Sequence, residues 1–247
     1  MKPAWTFLAI VFLISWGGGV PFRSQALALF PILILSVAAA GIGCAKLFDG
    51  SRGVQDLWKA QTRWALGRWY GLMLLPPALI LAALFLLSAI AGPSFAPNFF
   101  PVGLAFGIPA GLFEEIGWTG FLLPKLTARL GWKRASVVLG VVWGVWHLPV
   151  IDALGAATPH RGSLPAFFFA FILLLTGLRI IMSWAAVRTR SIAIAQLVHA
   201  SSTGSLVMFG PKGVTPAQEA FWYAGYGVLL WIVAAAILAT ADTERSD

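Results

Sequence analysis

Apolar runs of about twenty residues, separated by short polar stretches, recur from one end of this 247-residue chain to the other. Each is long enough to cross the ~30 Å hydrocarbon layer of a bilayer as a helix. No hydrophilic stretch between them could hold a separate soluble domain. Charge is correspondingly scarce, at 11% of residues against roughly 25% in soluble domains. A backbone in lipid must satisfy its own hydrogen bonds, which leaves helices and closed barrels. The runs are about twice the length of a barrel strand, so they read as helices. The expected fold class is all-α: a polytopic membrane helix bundle forming one membrane domain over 1–247.

Eight transmembrane spans are expected, at about 3–22, 25–47, 70–91, 99–124, 135–155, 164–187, 191–210 and 219–241. The first could pass for a signal peptide. No clean small-x-small cleavage site follows it, however, and the apolar run continues through Val20 and Phe22, so it reads as an uncleaved span. Lys and Arg set the orientation. One side holds Lys2, Lys46, Arg52, Lys59, Arg63, Arg68, Lys125, Arg129, Lys133, Arg134, Arg188, Arg190 and Arg245, with Arg179 assigned to the same half; the other holds Arg23, Arg161 and Lys212. A bias of fourteen to three puts both termini in the cytosol, in a multi-pass protein of the cell membrane. The net charge of +8 then serves topology and the anionic lipid of the bilayer, and no nucleic-acid partner is expected.

Residues 52–69 are too polar to cross. At 100° per residue, Arg52, Asp56, Lys59 and Arg63 form one arc and Val54, Leu57, Trp58, Ala65 and Trp69 the opposite one. This is expected to be an amphipathic helix lying on the cytosolic surface as an interfacial anchor. Gly103, Gly107 and Gly111 recur every four residues in the fourth span, and Gly140 and Gly144 in the fifth. Small residues at this spacing let helices approach closely. Pro109 is expected to kink the fourth span. The single cysteine, Cys44, can form no intrachain disulfide and reads as a small buried hydrophobe.

Against this background the ionisable residues inside spans stand out. Glu114 and Glu115 lie together in the fourth span, where an ionisable group costs at least ~2.5 kcal/mol on insertion scales. His147 and His199 lie in the fifth and seventh. Depth links them: Glu114 is 11 residues from Lys125, His147 is 13 from Arg134 and His199 is 9 from Arg190, or roughly 16, 20 and 14 Å along a helix. All three fall near mid-membrane. His160, in an external loop, is read as solvated and outside the set. Neighbours on a helix point about 100° apart, so one glutamate faces the reacting centre and the other supports it. A carboxylate and an imidazole suffice to activate water, and a second imidazole with a nearby hydroxyl can hold an oxyanion.

The motifs Glu114-Glu115-x-Gly117-Trp118-x-Gly120-Phe121-x-x-Pro124, Trp143-x-x-x-His147-x-Pro149 and His199-Ala200-Ser201 follow one another on successive apolar segments. Together they resemble the CAAX-prenyl-protease and bacteriocin-processing (Abi) family of intramembrane glutamic endopeptidases. The resemblance covers about 100–210, and implies a catalytic core of four helices over 99–210. By it, Glu114 matches the catalytic glutamate, His147 the histidine that helps activate water, His199 the oxyanion histidine and Glu115 the second, supporting glutamate. Two positions depart from the pattern. Thr119 stands where the family often has Arg, which leaves Glu115 without that partner. Thr203 stands where Asn or Asp is usual, so Thr203, or Ser202 beside it, is left to support the oxyanion with a hydroxyl.

The function implied is an intramembrane peptidase. It would hydrolyse a peptide bond of a peptide or protein substrate near the cytosolic leaflet, with no cofactor and no metal. The alternative is a catalytically silent relative acting as a membrane scaffold or immunity factor. The same four residues could instead hold a metal, although no His-Glu-x-x-His spacing exists. They could also carry protons in a transporter, although no internal repeat is found.

Overall fold

The computed structural model describes residues 2–19, 21 and 26–240. Arg23, Arg245 and the ends of the expected spans 3–22, 25–47 and 219–241 lie outside the described residues. Most of this range is helical, in a bundle of α1 (Lys2–Gly19), α2 (Ala26–Gln61), α3 (Leu75–Ala91), α4 (Gly103–Glu115), α5 (Leu123–Trp146), α6 (Leu164–Thr189), α7 (Ile192–Phe209) and α8 (Pro216–Thr240). Among the described residues, five helices are long and apolar enough to cross a membrane: 28–61, 67–91, 161–189, 192–209 and 216–240. Lys2–Gly18 is a shorter apolar helix. α4 has only 13 residues, and α5 carries four basic residues in its first half.

Several boundaries differ from the expected ones. α2 breaks at Gly50 (φ 68°, ψ −155°), and the amphipathic segment continues as helix only to Gln61. Leu57 turns inward while Trp58 stays 68% exposed, and Ala65 and Trp69 lie beyond the helix end. α4 passes into a π-helical turn, Ile116–Leu122, closed by the Leu123 N–H on the Trp118 carbonyl five residues back. Pro124 has no N–H to give the Gly120 carbonyl, so a regular α turn would lack a bond at this point. The polar connection expected after 124 is itself helical and breaks only at Gly131 (φ 72°, ψ 157°). At the other end α5 stops at Trp146, nine residues short of the expected boundary, because Pro149 cannot continue the hydrogen-bond ladder. Pro109 lies inside α4, which remains one helix.

The basic residues gather at one end of the bundle. There Lys125 Nζ pairs with Asp49 Oδ1 at 2.7 Å, joining α2 to α5. Ser191 Oγ donates to the Arg63 carbonyl at 2.6 Å, joining the segment after α2 to the α6–α7 junction. Cys44 is buried, as its apolar setting implied.

The glycine rows act as expected. A Cβ on Gly107 would overlap the Ala200 carbonyl and Gly204 backbone of α7, and Gly103 and Gly111 meet the same helix. Gly140 and Gly144 seat α5 against Thr176 and Ile172 of α6. Because the Gly107 contact is backbone on backbone, no side chain can yield. Gly107→Val is therefore expected to destabilise by more than the ~1–3 kcal/mol usual for overpacking. The check is the melting temperature in detergent, compared with Gly43→Ala, where nothing lies within 4 Å of an added Cβ.

Candidate active site

Glu114 lies in the last turn of α4, Trp118 follows one turn later in the π segment, Trp143 lies in the last turn of α5 with His147 just after it, and His199 lies in α7. These elements converge, and all the expected site residues come together in two adjoining groups. Glu114 is 3% exposed, and its Oε2 accepts both the Trp143 indole N–H at 3.0 Å and the Trp118 indole N–H at 3.3 Å. Its Oε1 has no partner among the described residues. His147 donates Nδ1–H to the Trp143 carbonyl at 2.8 Å. Since a carbonyl only accepts, Nδ1 carries the proton and Nε2 is left with its lone pair. Both residues line one cavity of about 470 Å³, with His199, Ser202 and Thr203 on its wall. That volume lies within the range of sites that hold small ligands. Ser202 Oγ sits 3.0 Å from the Tyr226 hydroxyl.

Glu115 points the other way, as helix geometry requires, and is fully buried. It is not short of partners. The Arg179 guanidinium grips it with Nη1 at 2.7 Å from Oε2 and Nη2 at 2.9 Å from Oε1. Thr119 donates its hydroxyl to Oε2, and Nη1 of Arg179 also reaches Thr119 Oγ1 at 3.2 Å. His199 gives Nδ1–H to Oε1 at 2.8 Å. Arg179 had been counted with the cytosolic charges, yet it is fully buried and lies 4.1 Å over the Trp143 ring. A guanidinium stacks on an aromatic face while its edge makes the bidentate pair. Arg179 of α6 thus supplies, from another helix and beside Thr119, the positive charge that position 119 lacks.

Trp143 joins the two groups. Its N–H holds Glu114, its face holds Arg179, and its ring meets His199 edge-on at 4.8 Å. The depth ruler could have found Arg179, which is nine residues from Arg188, as His199 is from Arg190. No comparable signal marked Trp118 or Tyr226 as partners. Among the described residues no cluster of three or more His, Cys, Asp or Glu could hold a metal ion.

The cavity wall runs from Glu114, Trp143, Leu178 and His199 at one level to Val150, Leu154 and Gly155 in the loop after α5.

The family model described as type II CAAX prenyl endopeptidase Rce1-like matches residues 96–204, the stretch that carries this whole constellation. Residues 96–204 are Rce1-like. CAAX prenyl protease 2 of Methanococcus maripaludis is 30% identical over 138 residues, which is 51% of this chain and 51% of that protein. The match thus spans about half the length of the curated relative. The Rce1-like segment contains Glu114, Glu115, His147, Arg179, His199 and Thr203, while Tyr226 lies beyond it in α8.

His160 corrects another expectation. It is fully buried, stacked on Phe167 with ring centroids 3.8 Å apart, with Nε2 3.2 Å from Glu219 Oε2 and Nδ1 3.3 Å from Asp152 Oδ1. Glu219, in the first turn of α8, also accepts the backbone N–H groups of Ala156 at 2.7 Å and Ala157 at 2.6 Å. This carboxylate folds the 152–160 loop inward against the bundle. Hydrogen bonds to charged groups contribute about 1.5–3 kcal/mol each. Glu219→Ala is expected to raise amide exchange across 152–160 at least tenfold, with little change in α4 and α7, as mass spectrometry would read.

Proposed function

We propose that this protein is an intramembrane peptidase that hydrolyses a peptide bond with a water held between Glu114 and His147. One observation carries the reading. Among the described residues Glu114 Oε1 and His147 Nε2 have no hydrogen-bond partner, and both residues line one cavity. The Rce1-like match and the protease relative support the same class of chemistry.

In the proposed reaction Glu114 takes a proton from the water as its oxygen attacks the carbonyl carbon, while His147 Nε2 accepts the other O–H. The carbonyl electron pair moves onto oxygen. His199, its Nδ1–H held by Glu115, meets that oxyanion through Nε2–H as the imidazolium. In that state Glu114 is neutral, and Glu115, Arg179, His199 and the oxyanion sum to zero charge, which suits a site in low dielectric. The Thr203 hydroxyl adds a second donor, and Ser202 is held at the wall by Tyr226. When the intermediate collapses the C–N bond breaks, and the proton on Glu114 passes to the leaving nitrogen. Glu115, Thr119 and Arg179 are positioning residues in this scheme.

The orientation proposed is that of the charge bias, with eight spans and the basic end and both termini cytosolic. The alternative of a silent scaffold draws on Thr203, whose hydroxyl offers one donor where an amide offers two. Comparing the peptides of membranes from wild-type and Glu114→Gln cells decides between them. Peptides that depend on Glu114 support the peptidase, and identical sets overturn it.

A further inference from the structure

We infer that the Ser202 hydroxyl, aimed by Tyr226, is the hydroxyl that meets the oxyanion beside His199, ahead of Thr203. The inference deepens the peptidase reading and rests on it for the oxyanion. It also brings α8 into the site, since Tyr226 lies outside the Rce1-like segment 96–204 that holds Ser202 and Thr203.

Two hydroxyls compete for the role. Ser202 and Thr203 stand three and four residues after His199 on α7, so both share its face. Both line the cavity that holds Glu114 and His147. They differ in what holds them. The Thr203 hydroxyl has no hydrogen-bond partner among the described residues. Nothing stops it from turning back onto the carbonyl one turn earlier, as the hydroxyls of Thr176 and Thr189 do in α6, both at 2.8 Å. Ser202 makes no such bond. Its Oγ lies 3.0 Å from the Tyr226 hydroxyl.

The surroundings give that bond its direction. Each hydroxyl carries one hydrogen, and only one can lie between the two oxygens. Tyr226 is fully buried in α8 and is not among the residues that line the cavity. Were Ser202 the donor, the phenol hydrogen would point into packed protein with no acceptor among the described residues. An unpaired buried donor is costly. With Tyr226 donating, the phenol hydrogen is used, and the Ser202 hydrogen is left for the cavity that Ser202 lines. It then donates to the carbonyl oxygen as negative charge gathers there, and no proton changes hands along the pair. The Tyr226 O–H behind it strengthens that bond, because successive hydrogen bonds polarise one another. A donor already set in direction needs no rearrangement when the charge forms. Thr203 lacks that advantage.

The test uses the purified full chain in detergent and a fluorogenic peptide. The peptide is built on a sequence that wild-type membranes release and Glu114→Gln membranes do not. Ser202→Ala is expected to lower kcat by about 10²–10³-fold, the usual loss for one oxyanion donor, and Thr203→Val by less. Tyr226→Phe, which keeps the ring and removes only the hydroxyl, is expected to lower kcat at least tenfold. KM should move less than about twofold in each, since the contact forms only in the transition state. In the Ser202→Ala background Tyr226→Phe is expected to cost no further rate, which a merely structural tyrosine would not show. Should Ser202→Ala fold poorly, Ser202→Cys reads the same loss, because a thiol fills the site as a weak donor. Near wild-type kcat in Tyr226→Phe, an undiminished effect of it beside Ser202→Ala, or a larger loss in Thr203→Val than in Ser202→Ala would each overturn the inference. With Glu114→Gln inactive, any of these leaves the peptidase reading standing. A wild-type protein that cuts no peptide removes both.

Discussion

Glu114→Gln is expected to lower the rate of peptide cleavage by about 10²–10⁴-fold, the usual contribution of a positioned general base, while leaving the fold intact. Glutamine keeps the length of the side chain, and an oxygen can still accept the Trp143 and Trp118 indole N–H groups that hold Glu114 at 3.0 and 3.3 Å. What it cannot do is take a proton from water. The measurement is a cleavage rate beside a melting temperature on the same purified protein. A variant with near wild-type rate would remove Glu114 from the role of base. Glu115→Gln provides the contrast. It removes the charge that Arg179 and His199 share, so a loss of stability should accompany any loss of rate.

Arg179→Leu is expected to be among the most destabilising single changes in the chain. Removing one partner of a buried ion pair typically costs about 3–5 kcal/mol because the other charge is left uncompensated. Here that charge is Glu115, fully buried and gripped by both terminal nitrogens of Arg179. Arg179→Leu also strips the cation from the Trp143 face and so loosens the indole that holds Glu114. The informative companion is the exchange Arg179→Thr with Thr119→Arg. Positions 119 and 179 already touch through Nη1 and Oγ1 at 3.2 Å, and an Arg one turn after Glu115 can reach it along the same helix. The exchanged protein is expected to recover most of the melting temperature lost by Arg179→Thr alone. No recovery would show that the origin of the guanidinium matters as well as its presence.

The parts of this structure legible in the sequence are those set by local periodicity and by the cost of burying polarity. Apolar runs gave the helical membrane class, glycines every four residues gave a close-packing face on α4 without naming α7 as its partner, and carboxylates in an apolar run singled out Glu114 and Glu115. The depth ruler brought His147 and His199 to the same level. Arg179 escaped because every Lys and Arg was put to use for topology, although the same ruler sets it level with His199. His160 escaped for a different reason. Its burial depends on Glu219, 59 residues later, folding the loop inward, and a lone loop histidine carries no trace of that partner. Boundaries failed where proline and glycine overrode hydropathy, at Pro149 and Gly131.

The π turn at Ile116–Leu122 makes the length of this stretch matter in a way its composition does not. One extra residue per turn offsets everything after it by about 100° of rotation and 1.5 Å of rise. Upstream, that phase aims Glu114 at Trp143 and Glu115 at Arg179; downstream, it delivers Lys125 to Asp49. Deleting a single residue between 116 and 122 would let the segment relax into an ordinary α-helix, and only one of the two ends could then stay in place. A conservative exchange at Ile116 disturbs neither phase. Insertions and deletions are therefore the changes this segment cannot absorb, and in a library of single-residue deletions it should be the least forgiving stretch of α4 and α5.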